Sequence, residues 1–188
     1  LPYDIPVGEQ QIDDLSSVYI GARQSRFGIE GEANTKVGHI RTYMEVDFAS
    51  TTSSFWRLRH AYAEWNYFKI GHTWSTFMDN ASLPTTVEFE GPNSSLSKRH
   101  GLIRYERKYG EQSIVGVSIE APVSDYFNPA DSLLEGKNKQ GNFDIAGRYK
   151  HLQKWGHVQL AGIFRRIDYL NDDHIDELYG WGILLSSV

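Results

Sequence analysis

With 188 residues, the chain is long enough for one ordinary domain with a sizeable core. Its formal net charge of -5 argues against a nucleic-acid partner, although clustered arginines can still form a local basic surface. It contains no cysteine, which excludes a disulfide framework and a cysteine-based metal site.

Aromatic residues reach 13%, yet mean hydropathy is only -0.47, because charges and aromatics share the same segments. No apolar run approaches the roughly 18 residues of a membrane-crossing helix. A membrane-crossing strand needs only about 9–11 residues that alternate in polarity. The chain starts at Leu1 without an n-region or h-region, and it ends on "GWGILLSSV", which reads as mid-strand. The expectation is a segment of a longer mature protein.

Period-2 alternation dominates from residue 17 onward. "SVYIGARQSRFGIEGE" (17–32) sets Phe27 and Ile29 against Arg26, Gly28 and Glu30. After a short "ANT" link, "KVGHIRTYMEVDF" (36–48) sets Ile40, Thr42, Met44, Val46 and Phe48 against His39, Arg41, Tyr43, Glu45 and Asp47. The polar "ASTTSS" leads to two strands, 55–65 and 67–77, divided at Asn66. A long connection follows, "MDNASLPTTVEFEGPNSSLSKRH" (78–100), of a length that is usually functional. Strands resume at 101–109 and 113–121, joined by "GEQ". A second long loop (122–142) precedes strands 143–152 and 156–170. The loop "NDDHID" (171–176) then leads to a terminal strand, 177–188.

Nine strands result, with no repeat or domain linker, and with connections that alternate short and long. An antiparallel up-and-down barrel puts every second connection on the same rim, and membrane barrels pair short turns at one rim with long loops at the other. A soluble sandwich has no reason to sort its loops in this way.

Arg57 and Arg59 share one face of their strand, while Trp56 and Leu58 take the other. Burying Arg57, Arg59, Arg104 and Arg148 in a dry core would cost several kcal/mol per ion without a partner for each; a wet lumen keeps them hydrated. The reading is therefore inside-out. Trp56, Leu58, Tyr62, Ile40, Met44, Val46, Phe48, Val115, Val117, Ile119, Phe143, Ile145, Tyr149, Val158, Leu160 and Phe164 would meet lipid, and the arginines would face water. Two parities stay open. Arg23 and Arg26 lie three apart and need a bulge to share a face, and the spacing of Lys69 and His72 leaves undecided which of them faces inward.

"ARQSRFGIEGE" and "FWRLRHAYAEWNYFKIGHTWSTFMDNASLPTTVEFEGPN" resemble Gram-negative outer-membrane porins, most closely the DcaP-like porin family. The arginine strand, then "GHTWSTF" and a long loop containing Pro and Glu, carry most of the match, which runs over 16–188 and is strongest over 22–93. The resemblance implies an all-β, antiparallel up-and-down transmembrane β-barrel of sixteen strands in a homotrimer, with the third extracellular loop folded into the channel. One strand missing before Leu1 would make 78–100 that loop, residues 1–15 the first loop, and the last visible strand the tenth. About six strands needed for closure would then lie outside the chain, since an open half-barrel leaves unpaired backbone in lipid.

The resemblance further implies passive diffusion of small solutes past a constriction in the outer membrane of a Gram-negative bacterium, with no cofactor. Its acidic side would be Asp79, Glu88 and Glu90 on the inner loop. Its basic side would be Arg26, Arg41, Arg57, Arg59 and Arg104, with Arg99 at the loop's return. Rings of arginine favour anions, and paired guanidinium donors suit the dicarboxylates associated with the family.

Plainer readings stand beside these. Arg57 and Arg59 would simply pair with Glu45 and Asp47; Glu88 and Glu90 would be solvated; His60 and His72 would be structural. Asp172, Asp173, His174 and Asp176 suit a polar loop tip better than a metal site. Trp56, Trp65, Trp74, Tyr62 and Tyr67 would form aromatic girdles, or a core if the protein is soluble. The competing functions are a soluble β-sandwich module binding carbohydrate or another small ligand, and a glycoside hydrolase using Glu88 and Glu90, whose spacing does not establish the carboxylate separation that chemistry needs.

Overall fold

The computed structural model describes residues 22–49, 56–84, 98–122, 137–138, 142–171 and 174–188. They form one antiparallel sheet of β1 (Arg26–Thr35), β2 (Gly38–Asp47), β3 (Arg57–Trp65), β4 (Phe68–Trp74), β5 (Arg99–Tyr109), β6 (Ser113–Glu120), β8 (Asp144–Gln153), β9 (Gly156–Asn171) and β10 (His174–Ser187), each paired with the next. A two-residue strand, β7 (Lys137–Asn138), pairs with β9 off this path.

The nine strands expected from alternation are all present, as a single up-and-down sheet. The β1–β2 turn falls at residues 36–37 rather than at "ANT", which continues β1. The β3–β4 turn uses Asn66, whose φ of 52° is the left-handed conformation that tight hairpins require. At the opposite rim, β9 runs on to Asn171 and β10 starts at His174. The expected six-residue loop is thus a two-residue connection: cross-strand pairing from Asn171↔His174 to Tyr169↔Asp176 draws the flanking residues into the ladder.

The two faces of the sheet reverse the usual arrangement of a soluble protein. Ile29, Ile103, Val117, Ile119, Ile145, Leu160, Ile183 and Trp181 are all more than half exposed or close to it, Trp181 at 77%. Leu58 is 45% and Val117 50% exposed, so they do not meet in a dry interior. The largest fully buried side chains are instead Gln159, Glu120, Thr76, Asp47, Asp144 and Ser118. An apolar face of this extent marks a surface built for lipid or a partner, and among the described residues no second sheet covers it, as a sandwich would require.

Aromatic clusters bound that face at both ends. Phe27, Phe48 and Trp56 meet beside the long connections, with Phe48–Trp56 ring centroids 4.6 Å apart. Trp65, Phe68 and Tyr105 meet beside the short turns. From Trp56 to Trp65 is about 30 Å along the strand, or about 23 Å at the usual tilt, close to the roughly 25 Å apolar band of a membrane barrel.

A β-bulge corrects one expectation. Val46 pairs with Leu58 but Glu45 pairs with His60, so Arg59 is an extra residue in β3. Beyond it the parity flips. Tyr62 therefore stands on the polar face beside Tyr43 and His60 rather than among the outward aromatics.

Candidate functional site

The register of β1–β3 places Arg26, Asp47 and Arg57 in one row across the polar face, with Glu45 and His60 in the next. Arg57 grips Asp47 with two hydrogen bonds, Nε to Oδ1 at 2.9 Å and Nη2 to Oδ2 at 2.7 Å. Arg59 donates from Nε to Glu45 and from Nη1 to Asp47, both at 2.8 Å. Arg26 approaches Glu45 at 3.9 Å. The plainer reading of Arg57 and Arg59 therefore describes their geometry: each is held by a carboxylate of the neighbouring strand. Bidentate and charge-assisted bonds of this kind orient the guanidiniums firmly.

Arg99 opens β5 opposite Trp74 and lays its guanidinium over that ring, 4.4 Å from the centroid. It lies within electrostatic reach of Arg59, Arg57 and Arg26 and also of the Asp47 carboxylate, and its Nη1 is buried without a hydrogen-bond partner. Among the described residues, four guanidiniums (Arg26, Arg57, Arg59, Arg99) thus gather around two carboxylates (Glu45, Asp47), leaving a local positive surplus.

Arg41 lies on the same face further towards the short turns and carries no such surplus. Its Nε bonds Glu30, its Nη1 bonds Glu64 at 2.9 Å, and Glu32 lies 3.7 Å away. Lys69 joins this row, 2.8 Å from Glu64 and over the Tyr62 ring at 4.4 Å. Register settles the Lys69–His72 ambiguity. Lys69 pairs with Glu64 on the polar face, while His72 pairs with Ala61 on the other. Arg23 lies in the turn before β1, so it never shares a strand with Arg26.

The connection leaving β4 folds across the polar face. The Thr76 backbone N–H donates to Glu120 on β6 at 2.7 Å, and Arg104 donates to the Thr76 hydroxyl at 2.6 Å. Arg104 is buried, and its described partners are this hydroxyl and the Trp74 carbonyl. It therefore braces the loop rather than presenting its charge freely. A Cβ added at Gly182 would meet the Phe77 ring at 3.4 Å, which places Phe77 against β10. Gln159 donates to the Met78 carbonyl at 3.2 Å.

Asp79 completes the anchoring. Its carboxylate accepts from Lys150 at 3.0 Å, His157 at 2.7 Å and Ser186 at 2.7 Å, on β8, β9 and β10 respectively. Burial disfavours its charge, but the hydrogen bonds from His157, Ser186 and Lys150 outweigh that and draw its pKa down to about 2. Asp79 is thus a buried anchor, not an exposed acid facing the arginines. Glu88 and Glu90 lie outside the described residues, as do Asp172 and Asp173; among the described residues no metal-binding cluster occurs.

The sequence analysis named Asp79 as an acid facing the arginines and did not single out the partners that hold it instead, Lys150, His157 and Ser186, nor Gln159 beside them. Their alternation places them on the polar face, but only the path of the loop brings them to Asp79.

Comparison with known proteins agrees with this architecture. The family model described as porin subfamily matches residues 5–174. The crystal structure of the outer membrane channel DcaP of Acinetobacter baumannii superposes with a TM-score of 0.77 at 23% identity, over 88% of this chain and 47% of that one. The chain thus spans about half the length of that channel. Among curated proteins none matches. A one-sheet, inside-out architecture with a polar face crossed by its own loop, together with a family match over most of its length, makes this chain a member of the porin subfamily.

Proposed function

We infer that the chain forms part of the wall of an outer-membrane channel for passive diffusion of small hydrophilic solutes, with a preference for small anions. Membership of the porin subfamily and an apolar, aromatic-bounded outer face support a place in the outer membrane of a Gram-negative bacterium. The polar face would then line the lumen, and the long connection expected over 78–100 would form its constriction. Assembly as a homotrimer belongs to the same reading and rests on the family resemblance.

The observation carrying the anion preference is the positive surplus at Arg26, Arg57, Arg59 and Arg99. Asp47 and Glu45 hold Arg57 and Arg59, whereas Arg99 has no described hydrogen bond to a carboxylate and rests on the Trp74 ring, so its charge adds to the surplus. Guanidinium clusters suit carboxylates, so dicarboxylate-like solutes are the proposed class. The test is the reversal potential of the full-length protein in planar bilayers under a KCl gradient. Wild type should favour chloride, and Arg99→Gln should move the potential towards cation selectivity; no difference between the two would overturn the assignment.

A further inference from the structure

The apolar face of the sheet carries an exposed cation where it meets the short turns. Along β5, Ile103, Tyr105, Arg107 and Tyr109 alternate with Arg104, Glu106 and Lys108 of the polar face. Arg107 therefore shares the side of Ile103 and Tyr109, both about half exposed. Its cross-strand partner is Val115, and Tyr105 pairs with Phe68 and Val117 on that same side. We propose that Arg107 binds the phosphate of a glycerophospholipid in the leaflet beside the short turns. The proposal rests on the membrane placement of the sheet but not on the selectivity of the channel.

Arg107 is held by rings rather than by acids. Its guanidinium lies 5.2 Å from the Tyr67 ring centroid and 5.3 Å from that of Tyr109. The Tyr105 ring packs on Tyr67 at 5.9 Å and lies within electrostatic reach of the same guanidinium. Among the described residues Arg107 forms no ion pair with a carboxylate. Arg166, on the same side of β9, is by contrast bound to both Asp168 and Glu177. Ring contacts restrict a guanidinium without consuming its N–H donors. What remains is a planar fork, matched to two phosphate oxygens and left without an anion of the protein's own.

Depth points to the same ligand. Tyr105 belongs to the ring cluster that bounds the apolar band, and Arg107 stands two residues beyond it, about 7 Å along the strand. The headgroup layer on each side of the hydrocarbon is about 5–8 Å thick, so the guanidinium falls at the level of the phosphates. Val117, on the adjacent strand towards the middle of the band, is 50% exposed and offers a surface for acyl chains. A phosphate without chains gains nothing from that surface, which favours the lipid over a free phosphate.

The test is native mass spectrometry of the full-length protein released from detergent micelles. Dioleoylphosphatidylglycerol, dioleoylglycerol and glycerol 3-phosphate are added separately at equal concentration. The first carries phosphate and chains, and each of the others lacks one of the two. Dioleoylphosphatidylglycerol is expected to stay bound more than either of the others. Arg107→Gln should lower its retention about tenfold, the loss of one charge-assisted contact. Lys108→Gln removes the same charge from the neighbouring residue on the polar face and should leave retention unchanged.

Equal retention in wild type and Arg107→Gln would overturn the proposal, as would an equal loss in Lys108→Gln. Dioleoylglycerol or glycerol 3-phosphate held as well as the phospholipid would do the same. Each of these results leaves the channel reading standing. A wild type that fails to float with liposomes would sink the membrane placement and the lipid site together.

Discussion

His157 on β9 donates to the Asp79 carboxylate at 2.7 Å although the two residues stand 78 positions apart in sequence. Lys150 and Ser186 close on the same carboxylate from the strands on either side. One side chain thus pins the connection leaving β4 to three strands of the far wall.

Removing that anchor should loosen the loop without unfolding the sheet. Asp79→Asn keeps the shape but loses the charge, and a hydrogen bond to a charged group contributes about 1.5–3 kcal/mol. The detached state of the loop should then become about tenfold or more populated. Open-channel current noise should rise in Asp79→Asn and in Lys150→Met alike; quiet channels in both variants would show that the anchoring lies elsewhere.

Acid should act through the same carboxylate. The pKa of Asp79 is about 2 in the folded protein against an ordinary 3.8. Its lowered value means that the ionised form stabilises the docked loop. That contribution is complete above about pH 4 and is lost as pH falls towards 2. Current fluctuations should therefore grow across that interval in the wild type and stay flat in Asp79→Asn.

The Arg59–Asp47 pair gives an expectation on stability and one on selectivity. Both side chains are almost completely buried and 2.8 Å apart. Arg59→Ala leaves Asp47 with Arg57 alone among its described arginine partners and should cost about 1.5–3 kcal/mol in urea unfolding from detergent micelles. Asp47→Asn removes a carboxylate from the arginine cluster and should shift the reversal potential further towards anions.

Gly71 tests the register of β3 and β4. Its φ is +135°, and a Cβ there would lie 2.2 Å from the Ala61 carbonyl oxygen. Gly71→Ala should destabilise the folded channel by at least about 1–3 kcal/mol. Gly101→Ala, where the nearest atom to the new Cβ would be Ala121 Cβ at 3.8 Å, should fold as the wild type does. Equal stability of the two variants would contradict the described backbone.

Much of this arrangement was legible in the sequence because a strand's period of two writes both faces into the residue order. β2 is the clearest case, with Arg41, Tyr43, Glu45 and Asp47 all on the expected face. The reading failed where the period breaks. One extra residue, Arg59, turned Tyr62 to the polar side, and nothing in "RLRHAY" marks where a bulge falls. The anchoring of Asp79 was hidden for a different reason. Strand alternation says which way Lys150, His157 and Ser186 point, but only the closing of a 24-residue connection decides what they meet.

The inside-out reading is tested most directly by cysteine scanning, since these 188 residues contain no cysteine of their own. His39→Cys, Ile40→Cys, Tyr43→Cys and Met44→Cys sample both faces of β2 in the full-length protein reconstituted into liposomes. A charged, membrane-impermeant thiosulfonate should label positions 39 and 43 and spare 40 and 44. Equal labelling at all four positions, or labelling of 40 and 44 alone, would contradict a water-facing arginine wall with its apolar side in lipid.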